Sequence, residues 1–252
     1  MDAGKDLVLT DYVFSIQGGG YDPSNDPDSI GRRFLKTLDA LSQVDRIFSD
    51  WVLTDHVKLE LVNLAAVRSR FGAFVERNVE TDDDGEPDPA QGYRLTAFNS
   101  PVGGPRTIAL VVRAGRGTAD TFELSFGGRL QGVDPALINY PLFKASLLAI
   151  VANWRCAWAT AIGFKLKLRH VPIGPVIRVE TDFVHRLTWI AYLPANGAPG
   201  HDLPPGLIIE PTPEGGFLMI AADERPDPSN AAQMKRADFL TTIMEKRASP
   251  RR

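Results

Sequence analysis

The order in which strand-like and helix-like hydrophobic periods succeed one another constrains this chain most. Three alternating runs, Tyr93 to Phe98, Thr107 to Arg113 and Thr121 to Phe126, follow one another with no helix-length segment between them. Gly103-Gly104-Pro105 and Gly115-Arg116-Gly117 separate them, and connections this short suit an antiparallel meander rather than the long crossover a parallel pair requires. Further strands are expected at about 160–168, 175–181, 184–192, 206–210 and 216–221, with prolines 194, 199, 204 and 205 excluding regular structure from the connection near 193–205. Helical periods are fewer. Ile30, Phe34, Leu38 and Leu41 mark a helix at 27–43, opened by Asp26-Pro27. A second helix is predicted at 57–77, capped by Asp55 and carrying Leu61, Leu64, Phe71, Phe74 and Val75. A third at 137–155 and a fourth at 231–247 complete the set. Strands in clusters, rather than in strict βαβ alternation, predict an α+β fold: antiparallel β-sheets packed with about four helices.

A chain of 252 residues accommodates one large domain or two packed lobes, and two similar lobes sharing one compact unit is the favoured division. Residues 1–90 would form a strand-helix-helix part, opening with a strand at Tyr12 to Gln17 that ends in a flexible Gly18-Gly19-Gly20 turn. Residues 91–252 would form the β-rich part with the central and terminal helices, the loop holding Gly85, Pro87 and Pro89 being the boundary. Asp22-Pro23-Ser24-Asn25 recurs as Asp227-Pro228-Ser229-Asn230, each copy just before a helix, which is ordinary helix-start chemistry.

Composition narrows the setting. The single cysteine, Cys156, lies in an apolar run, so no internal disulfide can form and a reducing cytoplasm is expected. No signal-peptide core and no apolar span of membrane length is present, so neither export nor membrane insertion is expected. A net charge of −3 argues against a dedicated nucleic-acid binder. Charge is unevenly distributed: Val79 to Gln91 holds six acids and no base, whereas the stretch between Asp134 and Glu180 holds Lys144, Arg155, Lys165, Lys167, Arg169 and Arg178 and no acid. The simple expectation is that the two segments face each other.

The motifs that carry chemistry fail on spacing. The triple glycine lacks the Gly-Lys-Ser/Thr ending of a phosphate loop, and Asp22, Asp26 and Asp28 would repel an anion. A calcium loop counted from Asp82 would close on Tyr93, which cannot supply the bidentate carboxylate. His56, His170, His185 and His201 form no zinc spacing, no Gly-x-Ser-x-Gly elbow exists, and an apolar setting would raise the Cys156 pKa rather than activate the thiol. Lys165, Lys167 and Arg169 share a strand face without the aromatics that stack nucleobases. Of Trp51, Trp154, Trp158 and Trp189, at least three are expected in the core. No catalytic, cofactor or metal residue is therefore assigned, and protein binding is the leading function class. Two alternatives stay open: a hydrolase whose site assembles only in three dimensions, and a secretion-system adaptor.

Tyr12-Val13-Phe14-Ser15-Ile16, Phe48-Ser49-Asp50-Trp51, Thr188-Trp189-Ile190-Ala191-Tyr192-Leu193 and Thr212-Pro213-Glu214-Gly215-Gly216-Phe217-Leu218-Met219, in this order, resemble the immunity protein 52 family of bacterial polymorphic-toxin systems. The resemblance covers most of the chain as a pattern of elements. It implies a cytoplasmic inhibitor of a cognate toxin, typically a restriction-endonuclease-like nuclease of the Tox-REase-5 type delivered between competing bacteria, with no active site of its own. A nuclease must offer a basic channel to DNA, so Asp82, Asp83, Asp84, Glu86 and Asp88 are the candidate contacts with that partner.

Overall fold

A computed structural model of the chain describes residues 12–22, 26–100, 103–117, 119–127, 132–173, 176–197 and 203–248, with side chains at these positions except 12, 13 and 164–186. The strands are β1 (Tyr12–Gly20), β2 (Val52–Asp55), β3 (Glu60–Asn63), β4 (Tyr93–Phe98), β5 (Ile108–Ala114), β6 (Asp120–Phe126), β7 (Cys156–Ile173), β8 (Val176–Leu193), β9 (Ile208–Pro211) and β10 (Phe217–Ile220). They form one ten-stranded sheet in the order β3-β2-β4-β5-β6-β1-β7-β8-β10-β9, antiparallel at every pairing. The fold is α+β, as the clustering of strands requires. Strands from both sides of the acidic loop belong to this one sheet, β2 pairing with β4 and β1 lying between β6 and β7, so the sheet is not divided into two lobes at that loop.

Helices α1 (Pro27–Val44), α2 (Phe71–Arg77) and α3 (Tyr140–Val151) cover one face, and α4 (Ala231–Ala248) packs on β8 and β7. The apolar stripe of α1 is buried as its period demands: Ile30, Phe34, Leu38 and Leu41 are all inaccessible to solvent. Asp26 caps α1 by accepting from the Asp28 and Ser29 amides, with Pro27 at the first helical position. Phe143 of α3 is the hub of the main core. Its ring lies 4.4 Å from Phe126, 5.1 Å from Trp189 and 6.2 Å from Phe14, joining helix, β6, β8 and β1. A second apolar cluster forms where Ala237, Leu240 and Met244 of α4 meet Ala191, Leu193 and Met219. Trp51, Trp154 and Trp189 are buried.

Three expectations are corrected. The predicted helix at 57–77 is a turn at 56–59, then β3, a helical turn at Leu64–Val67 and the short α2. Asp55 caps no helix; its carboxylate accepts from the Val57 and Lys58 amides and closes the β2–β3 turn. Gly18–Gly20 is not a flexible turn but the end of β1, paired on both edges with β6 and β7. Glycine is needed there for close approach, since a Cβ on Gly20 would overlap the Arg155 carbonyl and one on Gly18 the Phe122 ring. The two strands expected at 175–181 and 184–192 are one strand, β8, whose register shifts against β7 near Lys165 and Ile162.

The strand register also decides where the charged segments lie. Tyr93, Ala114, Asp120, Gly20, Cys156 and Leu193 stand at one end of the sheet, and Phe98, Ile108, Phe126 and Lys165 at the other. The acidic loop precedes Tyr93, whereas the basic stretch of β7 continues from Lys165 away from that end, so the two do not face each other. Among the described residues, 166–173 and 176–183 pair only with each other. The side chains of Lys165, Lys167, Arg169, His170 and His185 lie outside the described residues, as do 23–25, His201 and the tail Ser249–Arg252.

Candidate protein-binding surface

The acidic loop is built by its own first aspartate. Asp82 Oδ1 accepts from the Asp84 and Glu86 amides at 3.0 and 2.9 Å, the Asp82 amide donates to the Glu86 carbonyl at 2.9 Å, and Gly85 at φ +86 closes the turn. Asp88 Oδ1 accepts from the Ala90 amide at 2.9 Å, and the Asp88 amide donates to the Glu80 carbonyl at 2.9 Å. Glu80 anchors the foot of the loop, pairing with Arg113 at 3.2 Å and Arg116 at 3.4 Å on the β5 end of the sheet. The five predicted contacts thus separate into two kinds. Asp82 and Asp88 are half-buried and shape the backbone, whereas Asp83, Asp84 and Glu86 are exposed. Among the described residues no ion pair engages the carboxylates of those three. Nearby acids extend the negative field: burial first, then Glu76 and Asp26, push the Tyr93 hydroxyl above its ordinary pKa.

Beside the foot of this loop stands the β2–β3 turn, which the sequence had concealed inside a helix. His56 donates its amide to Asn78 Oδ1 at 2.8 Å, and its Nε2 lies 3.1 Å from Thr96 Oγ1. Burial chiefly, with help from Arg94 and against the carboxylates of Glu80 and Asp55, holds the His56 pKa below its usual value. Asp55 is fully buried, and Arg77 reaches its second oxygen at 3.2 Å. Above this polar base the turn exposes Val57 and Leu59 at 63 and 85% of their surface, and the start of β3 exposes Leu61 at 50%. Sequence reasoning missed their exposure because the helix predicted at 57–77 took in all three, although their spacing of two is that of a strand.

No protein-family model matches the chain, and no curated protein matches it.

At the same end of the sheet, a cleft of about 560 Å³ is lined by Asp22, Ser29, Arg33, Trp154, Arg155, Tyr192 and Glu214. Arg33 binds Asp22 at 2.8 Å and Asp120 at 3.2 Å while its guanidinium lies 4.6 Å from the centre of the Trp154 ring. The Asp120 carboxyl is raised above the ordinary carboxylate range, by burial first and then by Asp22, against the Gly115 amide and Arg33. Its oxygens are engaged by Gly115 N–H at 3.0 Å and by Arg33, so it ties the β5–β6 turn to α1. Cys156 is buried in the same wall, which pushes its thiol up to about 12 and makes it a poor nucleophile. Among the described residues no group of three or more His, Cys, Asp or Glu could hold a metal ion, and no helix is long and apolar enough to cross a membrane.

Proposed function

We propose that this chain is an immunity protein that binds and neutralises a cognate bacterial toxin by covering it, the toxin being a restriction-endonuclease-like nuclease of the Tox-REase-5 type carried by an interbacterial secretion system. The observation that carries this reading is the trio Asp83, Asp84 and Glu86, exposed on a turn that Asp82 and Asp88 hold in shape. Carboxylates carried on a backbone held in shape, and without ion partners among the described residues, favour a basic surface, because the loop needs little ordering on binding and the field steers the encounter. A nuclease must display such a surface to its substrate. An interface of roughly 1,200–2,000 Å² around the loop would exclude DNA without any bond being made or broken by the inhibitor.

Co-expression tests the reading. Cells producing a candidate nuclease effector, were one encoded beside this gene, should grow when they also make this protein and stop growing with an empty vector, and the two purified chains should elute together. Failure of both rescue and co-elution would remove the proposal.

A further inference from the structure

We infer that the tip of the β2–β3 hairpin, Val57, Leu59 and Leu61, is the apolar anchor of the complex, and that it seats in an apolar pocket bordered by basic side chains on the toxin. This rests on the toxin-binding reading and adds to it the residues that hold the partner once the acidic loop has guided it in.

Three of the six large exposed apolar side chains among the described residues fall within these five positions. Leu59, the most exposed of them, sits at φ +56, a left-handed conformation that bulky residues avoid. Nothing in the local chain demands leucine there. Glycine or asparagine would satisfy the turn with less strain, and a residue kept against its backbone preference points to a use for its side chain. The tip is also rigid from below: Asp55 holds two of its amides, and Asn78 and Thr96 hold His56. An apolar group presented on a fixed frame binds with little ordering cost.

Charge selects the occupant. Asn78, which grips the tip, directly precedes Val79 and Glu80 at the foot of the acidic loop, so apolar anchor and carboxylate rim are continuous. Lys58, the cation within the tip, is tied to Glu60 at 3.5 Å. An apolar centre with a charged border is the ordinary anatomy of a protein interface. A second copy of this chain fits poorly, because a two-fold contact through the tip would bring two acidic loops together. β3 is the outermost strand of the described sheet, which leaves the tip accessible from the side.

The test is Leu59→Asn, supported by a Val57→Ser/Leu61→Ser double variant, measured against the catalytically inactivated nuclease domain. Asparagine tolerates the left-handed region, so the thermal midpoint should be unchanged or higher. The dissociation constant should rise on the order of tenfold or more, through a faster off-rate, with the on-rate and its salt dependence retained. Unchanged affinity of both variants for a nuclease that binds the wild-type protein would overturn the anchor and leave the toxin-binding reading standing. If the wild-type protein itself forms no complex, both fall. A wild-type homodimer in sedimentation that Leu59→Asn dissociates would assign the tip to a second copy and likewise overturn the inference.

Discussion

Reversing the three exposed carboxylates, Asp83→Lys/Asp84→Lys/Glu86→Lys, isolates steering from every other contribution of the loop. Each reversal changes the charge by two, so three take the chain from −3 to +3. Asp82 and Asp88 are left intact because their side chains accept backbone amides that fold the loop. At about 5 Å in water, a carboxylate and a cation attract by roughly 0.8 kcal/mol, and reversal turns this into an equal repulsion. Summed over three sites and discounted for screening, the encounter loses about 2–4 kcal/mol between physiological and low ionic strength. The association rate should therefore fall roughly 30- to 1,000-fold in stopped-flow mixing with the inactivated nuclease. In 1 M salt, where the screening length is about 3 Å, the same comparison should give less than about a tenfold difference. Folding stability should stay within about 0.5 kcal/mol, since the altered side chains are exposed and unpaired among the described residues. An on-rate unchanged at low salt, or a loss that does not shrink with added salt, would show that these carboxylates do not steer the partner.

Other tests address the frame behind this surface. Trp189→Ala removes a ring packed against Phe143 and orphans the Ala222 carbonyl that accepts from its Nε1 at 2.8 Å. A cost of about 3–5 kcal/mol, or roughly 6–20 °C in calorimetric midpoint, is expected, and a shift below about 3 °C would contradict its place in the core. Cys156, with its thiol pushed up to about 12, should resist aromatic disulfide reagents at pH 8 until denaturant is added. Labelling of the native protein within minutes would refute that burial. Asp120, whose folded pKa is raised above 3.8, contributes stability that is complete below 3.8 and is lost as pH rises through the raised value. Relative to Asp120→Asn, the wild-type protein should therefore lose stability in urea melts as pH climbs from about 3.5 to 7, and a growing advantage would mean that the bond to Arg33 outweighs burial.

The sheet's middle and the long helices were legible because their signals are local. Ile30, Phe34, Leu38 and Leu41 carry a period that needs no knowledge of distant strands, and the glycine-marked turns of β4–β6 enforce antiparallel neighbours. The β2–β3 hairpin was not legible. Its turn contains no glycine, proline or asparagine, Leu59 enters the left-handed region without a cue, and β3 exists only because Val52–Asp55 offers it an edge. The period from Leu61 to Val75 accordingly mimicked one helix, and Leu59, two residues from both Val57 and Leu61 and so off its apolar stripe, was absorbed into it with its exposure unread. Gly18–Gly20 misled for the opposite reason: glycine's usual signal is flexibility, while here the Phe122 ring and the Arg155 carbonyl exclude any Cβ.

The acidic run shows where sequence reading stops and geometry takes over. Its charge was evident, and the aspartate that opens it carries a recognisable turn signature, yet only the hydrogen bonds separate the carboxylates that make the loop from those the loop presents. The separation matters for mechanism, because a charge already engaged by its own backbone cannot swing toward a partner. Register then removes the obvious intramolecular destination: the basic stretch of β7 continues from the opposite end of the sheet. With Glu80 spent on Arg113 and Arg116, the field of Asp83, Asp84 and Glu86 is directed outward, beside three apolar side chains that the sheet does not cover. Their joint presentation at one corner is what the proposed binding of a basic polypeptide would use, and it is the feature that the charge-reversal and anchor variants test.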